Sequence, residues 1–192
     1  MMHDSPCDSV SAFSLLLLSW YDHHARVLPW RGSKNPYLIW VSEIIFQQTR
    51  IEQGLDYYLR FVERFPTLAS LAAAEEDEVL RLWQGLGYYS RAHHLLMTAR
   101  SIQDRFAGCF PEDFQEVSKL KGIGDYTASC ITSICFGQTQ AAVDGNVLRV
   151  LSRFFADPTP IDSQMGRKHF KKIAQQLISS QRPGDFNEAL MD

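Results

Sequence analysis

Lys121-Gly122-Ile123-Gly124-Asp125-Tyr126-Thr127 is followed, one helical stretch later, by Val143-Asp144-Gly145-Asn146-Val147. A Gly-x-Gly turn that opens straight into a helix leaves backbone N–H groups unpaired at the positive end of that helix, which suits a phosphate. A carboxylate starting the next helix could stand beside the sugar that such a phosphate carries. Working outward, nearly every periodic segment has helical spacing and none alternates over strand length, so an all-α protein is predicted. Helices are expected over roughly 9–24, 37–49, 52–64, 76–83, 90–106, 112–119, 125–136, 145–155, 163–179 and 183–192. Pro36, Pro111 and Pro183 suit first-turn or pre-helix positions, Pro66 closes a helix, and Gly137 stands where a C-terminal glycine belongs. No internal repeat or long linker interrupts the chain, so two lobes would be made from one continuous path.

A hydrophobic content of 45% and an aromatic content of 12% over 192 residues exclude a disordered chain and allow one or two packed lobes. The net charge of −3 does not announce a nucleic-acid partner, although binding depends on a local basic face and not on the total. Such clusters exist: Arg26, Arg31 and Lys34; Lys119 and Lys121; Arg149 and Arg153; Arg167, Lys168, Lys171 and Lys172. A solvated helix face explains any one of them equally well. Cys7, Cys109, Cys130 and Cys135 fit no zinc or haem spacing, so no metal site is assigned and a reduced, intracellular protein is expected. The apolar run Phe13 to Leu18 follows Asp4 and Asp8 and lacks a cleavage site, so it reads as a core helix, too short to span a membrane. Phe186 to Asp192 reads as a helix in progress with no cap, as though the chain had been cut there.

Glu43 is one carboxylate in the otherwise apolar stretch Trp40-Val41-Ser42-Glu43-Ile44-Ile45-Phe46-Gln47-Gln48-Thr49. An isolated helical carboxylate is ordinarily a surface residue; apolar neighbours would instead raise its pKa and make it a proton donor near neutral pH. Asp144 suits a helix N-cap, and capping alone would explain it. Two carboxylates driven apart in pKa could also divide the work of breaking a glycosidic bond. Gln47-Gln48 and Gly85-Leu86-Gly87-Tyr88-Tyr89-Ser90-Arg91 offer amides and aromatics that could wedge into a base step, or simply pack.

Together these segments, with Leu28-Pro29-Trp30-Arg31 and Phe186-Asn187-Glu188-Ala189, resemble the helix-hairpin-helix DNA glycosylase superfamily, most closely the MutY adenine glycosylases. The resemblance implies two helical lobes flanking a DNA-binding cleft: a six-helix barrel with the hairpin over about 30–143, and a second lobe from about 1–29 with 144–192. It implies a monomeric hydrolase of base excision repair that removes adenine mispaired with 8-oxoguanine or guanine in double-stranded DNA, in the bacterial cytoplasm (nucleoid) if the source is bacterial. Glu43 would protonate the base and Asp144 would stabilise the sugar cation, supported by Tyr126 and Asn146. Arg26, Trp30, Arg31, Ile51 and Glu188 would line the adenine pocket. Gly122 and Gly124 would hold the backbone, while Gln48, Leu86 and Tyr88 probe the opened stack. Bifunctional relatives resembling endonuclease III carry a Lys where Tyr126 stands, and its amine attacks the sugar; Tyr126 therefore implies a monofunctional enzyme. A [4Fe–4S] cluster belongs to the family, but its cysteine ligands are absent from these 192 residues. The reading from a different class is an inactive or truncated helix-hairpin-helix DNA-binding module.

Overall fold

The computed structural model describes residues 6–192, with side chains from Ala12 onward. Among the described residues the secondary structure is helical throughout: α1 (Pro6–His24), α2 (Pro36–Ile45), α3 (Ile51–Arg64), α4 (Leu68–Ala72), α5 (Glu76–Trp83), α6 (Ser90–Phe106), α7 (Phe114–Ser118), α8 (Asp125–Phe136), α9 (Gly145–Phe154), α10 (Gln164–Leu177) and α11 (Pro183–Met191). The chain divides into two compact units, 32–127 and 1–31 with 128–192. The second crossing lies inside α8, earlier in the chain than the expected boundary near 143.

In the 32–127 unit, the helix starts follow from local capping chemistry. Asn35 caps α2 by accepting from the Tyr37 N–H, with Pro36 in the first turn. Asp113 caps α7 by accepting from the Gln115 and Glu116 N–H groups. α4 is an extra helix that periodicity does not predict, because five residues are too few to show a period. A reciprocal capping box between Thr67 and Ser70 nucleates it. Its far end is closed by Arg100 of α6, which donates to the Ala72 carbonyl at 3.2 Å and the Ala74 carbonyl at 2.8 Å. The core of this unit includes Trp40, Tyr58, Phe61, Phe65 and Trp83, each at most 2% exposed, with Phe61 edge-on to both Phe65 and Trp83. Tyr37 takes its hydroxyl inside by donating to the Phe65 carbonyl at 2.6 Å, as a buried phenol must. α2 ends at Ile45 and not near Thr49 as expected; residues 46–48 form a turn, with Gln48 at φ 59°.

The other unit packs α1, α9, α10 and α11 around Phe13, Leu18, Val147, Leu151, Phe170, Ala174, Leu177, Phe186 and Leu190. A wholly buried asparagine, Asn187 of α11, holds the segment that leads into α9. Its Oδ1 accepts from the Ala142 N–H at 3.0 Å, and its Nδ2 donates to the Gln140 carbonyl and to Ser133 Oγ, both at 2.8 Å. Gln175 of α10 adds two bonds to the same segment, accepting from the Ala141 N–H at 3.1 Å and donating to the Thr139 carbonyl at 2.7 Å. Gly184 lets α11 approach the α8 backbone: a Cβ there would lie 2.8 Å from Ile134 Cα.

Asn187→Ala strands several buried polar groups at once. It is expected to lower the unfolding free energy by about 2–4 kcal/mol, read from urea denaturation; a loss under about 0.5 kcal/mol, the size of an ordinary surface change, would show that these groups find other partners.

Candidate active site

Asp144 is the N-cap of α9, with extended backbone at φ −114° and ψ −174°. Its Oδ1 accepts from the Asn146 and Val147 N–H groups, each at 2.9 Å. Its Oδ2 accepts from Asn146 Nδ2 at 3.0 Å, and the Asn146 carbonyl oxygen in turn accepts from Arg149 Nη2. The cap thus orients the carboxylate of this half-buried residue and leaves it further acceptor capacity. The capping and the proposed catalytic readings are compatible, because the cap occupies only part of the carboxylate. Asp144 and Asn146 thus belong to one hydrogen-bonded cap.

The same unit gathers Arg26, Arg31 and Glu188 with two residues that periodicity does not single out, Tyr21 and Asp192. Tyr21 Oη donates to Glu188 Oε2 at 2.7 Å, and Arg31 Nη1 pairs with Glu188 Oε1 at 3.0 Å. Arg31 also donates to Tyr21 Oη at 3.2 Å and forms an ion pair with Asp192. Arg26 donates through Nε and Nη2 to Asp192 Oδ1 at 2.9 and 2.7 Å, and to the Met191 carbonyl at 2.9 Å. Glu188 is 5% exposed, and Trp30, which precedes Arg31, is buried. Burial, then the bond to Glu188, holds the Tyr21 hydroxyl well above its ordinary pKa, so it stays a donor. Burial opposes the Arg31 charge, yet Glu188, Tyr21 and Asp192 outweigh it and raise its pKa. Two cations balance two carboxylates, so a charge taken out of water remains compensated. Tyr21 hides within an apolar helix and Asp192 is the last residue, so neither carried a local signal.

In the 32–127 unit, Glu43 is the one charged residue of α2 and is half-buried between buried Ser42 and Ile44. Ile51 opens α3 and is half-buried. Gln48 is exposed, Leu86 is half-buried, and Tyr88, at φ 48°, is 65% exposed. Those two side chains stand out on backbone that L residues rarely adopt. The hairpin runs from α7 through Gly122 and Gly124 to the first turn of α8. Gly122 has φ 78°, and a Cβ there would come within 2.8 Å of His94 Cβ; Gly124 is exposed. Thr98 donates to the Lys121 carbonyl at 2.6 Å and fastens the turn to α6. Tyr126 is half-buried in the first turn of α8. A cavity of about 60 Å³ beside the hairpin is lined by Trp40, Gln47, Arg91, His94, Lys121 and Gly122 among others, far below the roughly 300 Å³ at which ligand pockets begin. It is not a base pocket.

The described cysteines do not fit an iron–sulfur cluster. Cys130 is buried in α8, Cys135 is half-buried in the same helix, and Cys109 is exposed in the other unit. No group of three or more His, Cys, Asp or Glu among the described residues is arranged to hold a metal ion.

Comparison with known proteins bears on the family of the chain. The chain is 44% identical to the adenine DNA glycosylase of Mus musculus, over 95% of its own length and 37% of that protein. It is 39% identical to an adenine DNA glycosylase of Buchnera aphidicola, over 94% of its length and 51% of the relative. It therefore spans between about a third and a half of these curated relatives. The structure of a thermostable thymine-DNA glycosylase superposes with a TM-score of 0.88 at 25% identity, covering 98% of this chain and 87% of that one. An endonuclease III–DNA complex shares the fold at a TM-score of 0.78 and 19% identity, covering 100% of this chain and 85% of that one. Residues 41–176 match the model of the HhH-GPD superfamily base excision DNA repair proteins, and the chain belongs to that superfamily.

Proposed function

We propose that the chain is a monofunctional DNA glycosylase that hydrolyses the N-glycosidic bond of adenine mispaired with 8-oxoguanine or guanine. The observation that carries this reading is Asp144, a carboxylate oriented by three hydrogen bonds at the start of α9, with Asn146 and Arg149 behind it. Binding DNA alone needs no such group. The names of the relatives, adenine DNA glycosylases at 44% and 39% identity, support adenine as the base.

Glu43 gives a proton to N7 of the adenine as the C1′–N9 bond breaks. The bond's electron pair then leaves on a neutral base. Asp144 faces the resulting oxocarbenium-like sugar and stabilises its positive charge. Water adds its hydroxide to C1′ and gives up a proton, leaving an abasic site. Glu188, with Tyr21 on one oxygen and Arg31 on the other, keeps acceptor capacity for the exocyclic amine of a flipped adenine. Gly122 and Gly124 approach the DNA backbone, and Gln48, Leu86 and Tyr88 enter the opened base step. Flipping costs least at a mispair, which itself favours mispaired adenine. The protein acts as a monomer inside the cell, where its DNA is. The family's [4Fe–4S] cluster takes no part in these steps, and no residue of this chain is assigned to it.

Removing the proton donor by Glu43→Gln should lower single-turnover adenine release by about 10²–10⁴-fold while affinity for an A:8-oxoguanine duplex changes little. Alkali cleavage after incubation reads the first and a gel shift the second; near-normal turnover by the variant would sink the assignment, and binding without product by the unmodified chain would leave only a DNA-binding module. Tyr126 provides a second test, since a phenol forms no Schiff base. Borohydride should trap no enzyme–DNA adduct with the unmodified chain, and a trapped adduct would identify a lyase.

A further inference from the structure

Arg91 of α6 makes contacts that neither helix packing nor the proposed chemistry requires. Its Nη1 donates to the carbonyls of Ile44, Ile45 and Gln47 at 2.9, 3.1 and 2.7 Å. These carbonyls lie at and just beyond the end of α2, which has no basic residue in its last turn. Its Nη2 reaches the carbonyls of Leu86 and Gly87, both at 3.4 Å, the long end of the hydrogen-bond range. Its guanidinium carbon lies 5.5 Å from the ring centres of both Trp83 and Tyr88. Trp83 Nε1 donates to the Gly87 carbonyl at 3.1 Å and helps to close the same loop.

Among the described residues, four non-glycine residues have positive φ: Gln48, Tyr88, Ala107 and Ala156. Ala107 is the C-cap of α6 and Ala156 directly follows the C-cap of α9, where such a conformation is common. Gln48 and Tyr88 are the other two. Each sits in a turn whose neighbouring carbonyls Arg91 holds, and each presents its side chain outward. A left-handed conformation at a non-glycine residue persists only where its surroundings enforce it. One planar, always charged fork is the group that reaches both turns.

We propose that Arg91 is a positioning residue that sets Gln48 and Tyr88 as a matched pair and so acts on extrusion of the adenine, not on bond breaking. This rests on the reading of those two residues as probes of the opened stack. A lysine in its place offers a point charge on one nitrogen, which cannot reach carbonyls on two turns in one plane.

The test compares Arg91→Met and Arg91→Lys with Arg100→Met. Arg100 also leaves α6 to close a helix end in the same unit but touches neither turn. Unstacking is read by 2-aminopurine placed beside the target adenine of an A:8-oxoguanine duplex, with single-turnover adenine release measured alongside and melting temperature as the folding control. Arg91→Met should lose most of the unstacking signal and about tenfold or more in release, with Arg91→Lys in between and Arg100→Met near wild type in both after correction for its folded fraction. Equal losses in Arg91→Met and Arg100→Met at equal stability would make Arg91 merely structural and overturn the proposal, as would a full unstacking signal in Arg91→Met. Should Arg91→Met fail to fold, a wild-type signal in folded Arg91→Lys overturns it and a reduced one supports it. Absence of adenine release and unstacking in the wild type would overturn the glycosylase reading and this proposal with it, whereas wild-type turnover with unaffected Arg91 variants overturns this proposal alone.

Discussion

Where an α-helix ends, its last carbonyls and first N–H groups lose their partners within the helix, and this chain meets that constraint with side chains that do local work beyond satisfaction. Asp144 closes the start of α9 and is thereby oriented. Arg100 closes the end of α4, and Arg91 closes the end of α2 and the turn after it. Asn187 and Gln175 satisfy the irregular segment 139–142 in the same way. For Asp144, Arg91 and Asn187 the backbone group that needs a partner lies within a few residues of a group with proposed chemistry, so satisfaction and placement are one event, whereas Arg100 only closes its helix end.

The charged network around Glu188 obeys a related rule. A buried carboxylate is tolerable when its charge is balanced and its oxygens are bonded. Arg31 and Tyr21 satisfy both conditions, one on each oxygen of Glu188. Asp192 extends the network to Arg26, so the expected adenine-pocket residues Arg26, Arg31 and Glu188 are joined through a residue that is not itself among them.

Much of this was legible in the chain alone. Helical periodicity, prolines at first turns, Gly137 and the Asp144 cap are local signals, each readable within a few residues because the physics is local. The end of α2 was not. Phe46-Gln47-Gln48-Thr49 contains neither proline nor glycine, and nothing local forbids another helical turn. The helix stops where Arg91, more than forty residues later in sequence, takes the carbonyls. α4 escaped notice for the opposite reason, being too short to have a period although its capping box is local.

The sequence by itself determined the helical class, the superfamily resemblance, the carboxylates at 43 and 144, and the phenol at 126 in place of an amine, because residue type and short spacing carry that chemistry. Only the tertiary structure decided which polar groups meet: Tyr21 with Glu188, Asn187 with the approach to Asp144, and Arg91 with the two turns bearing Gln48 and Tyr88. Those meetings bring together residues far apart in sequence, and a hydrogen bond is set by distance and direction in space, which no local pattern encodes.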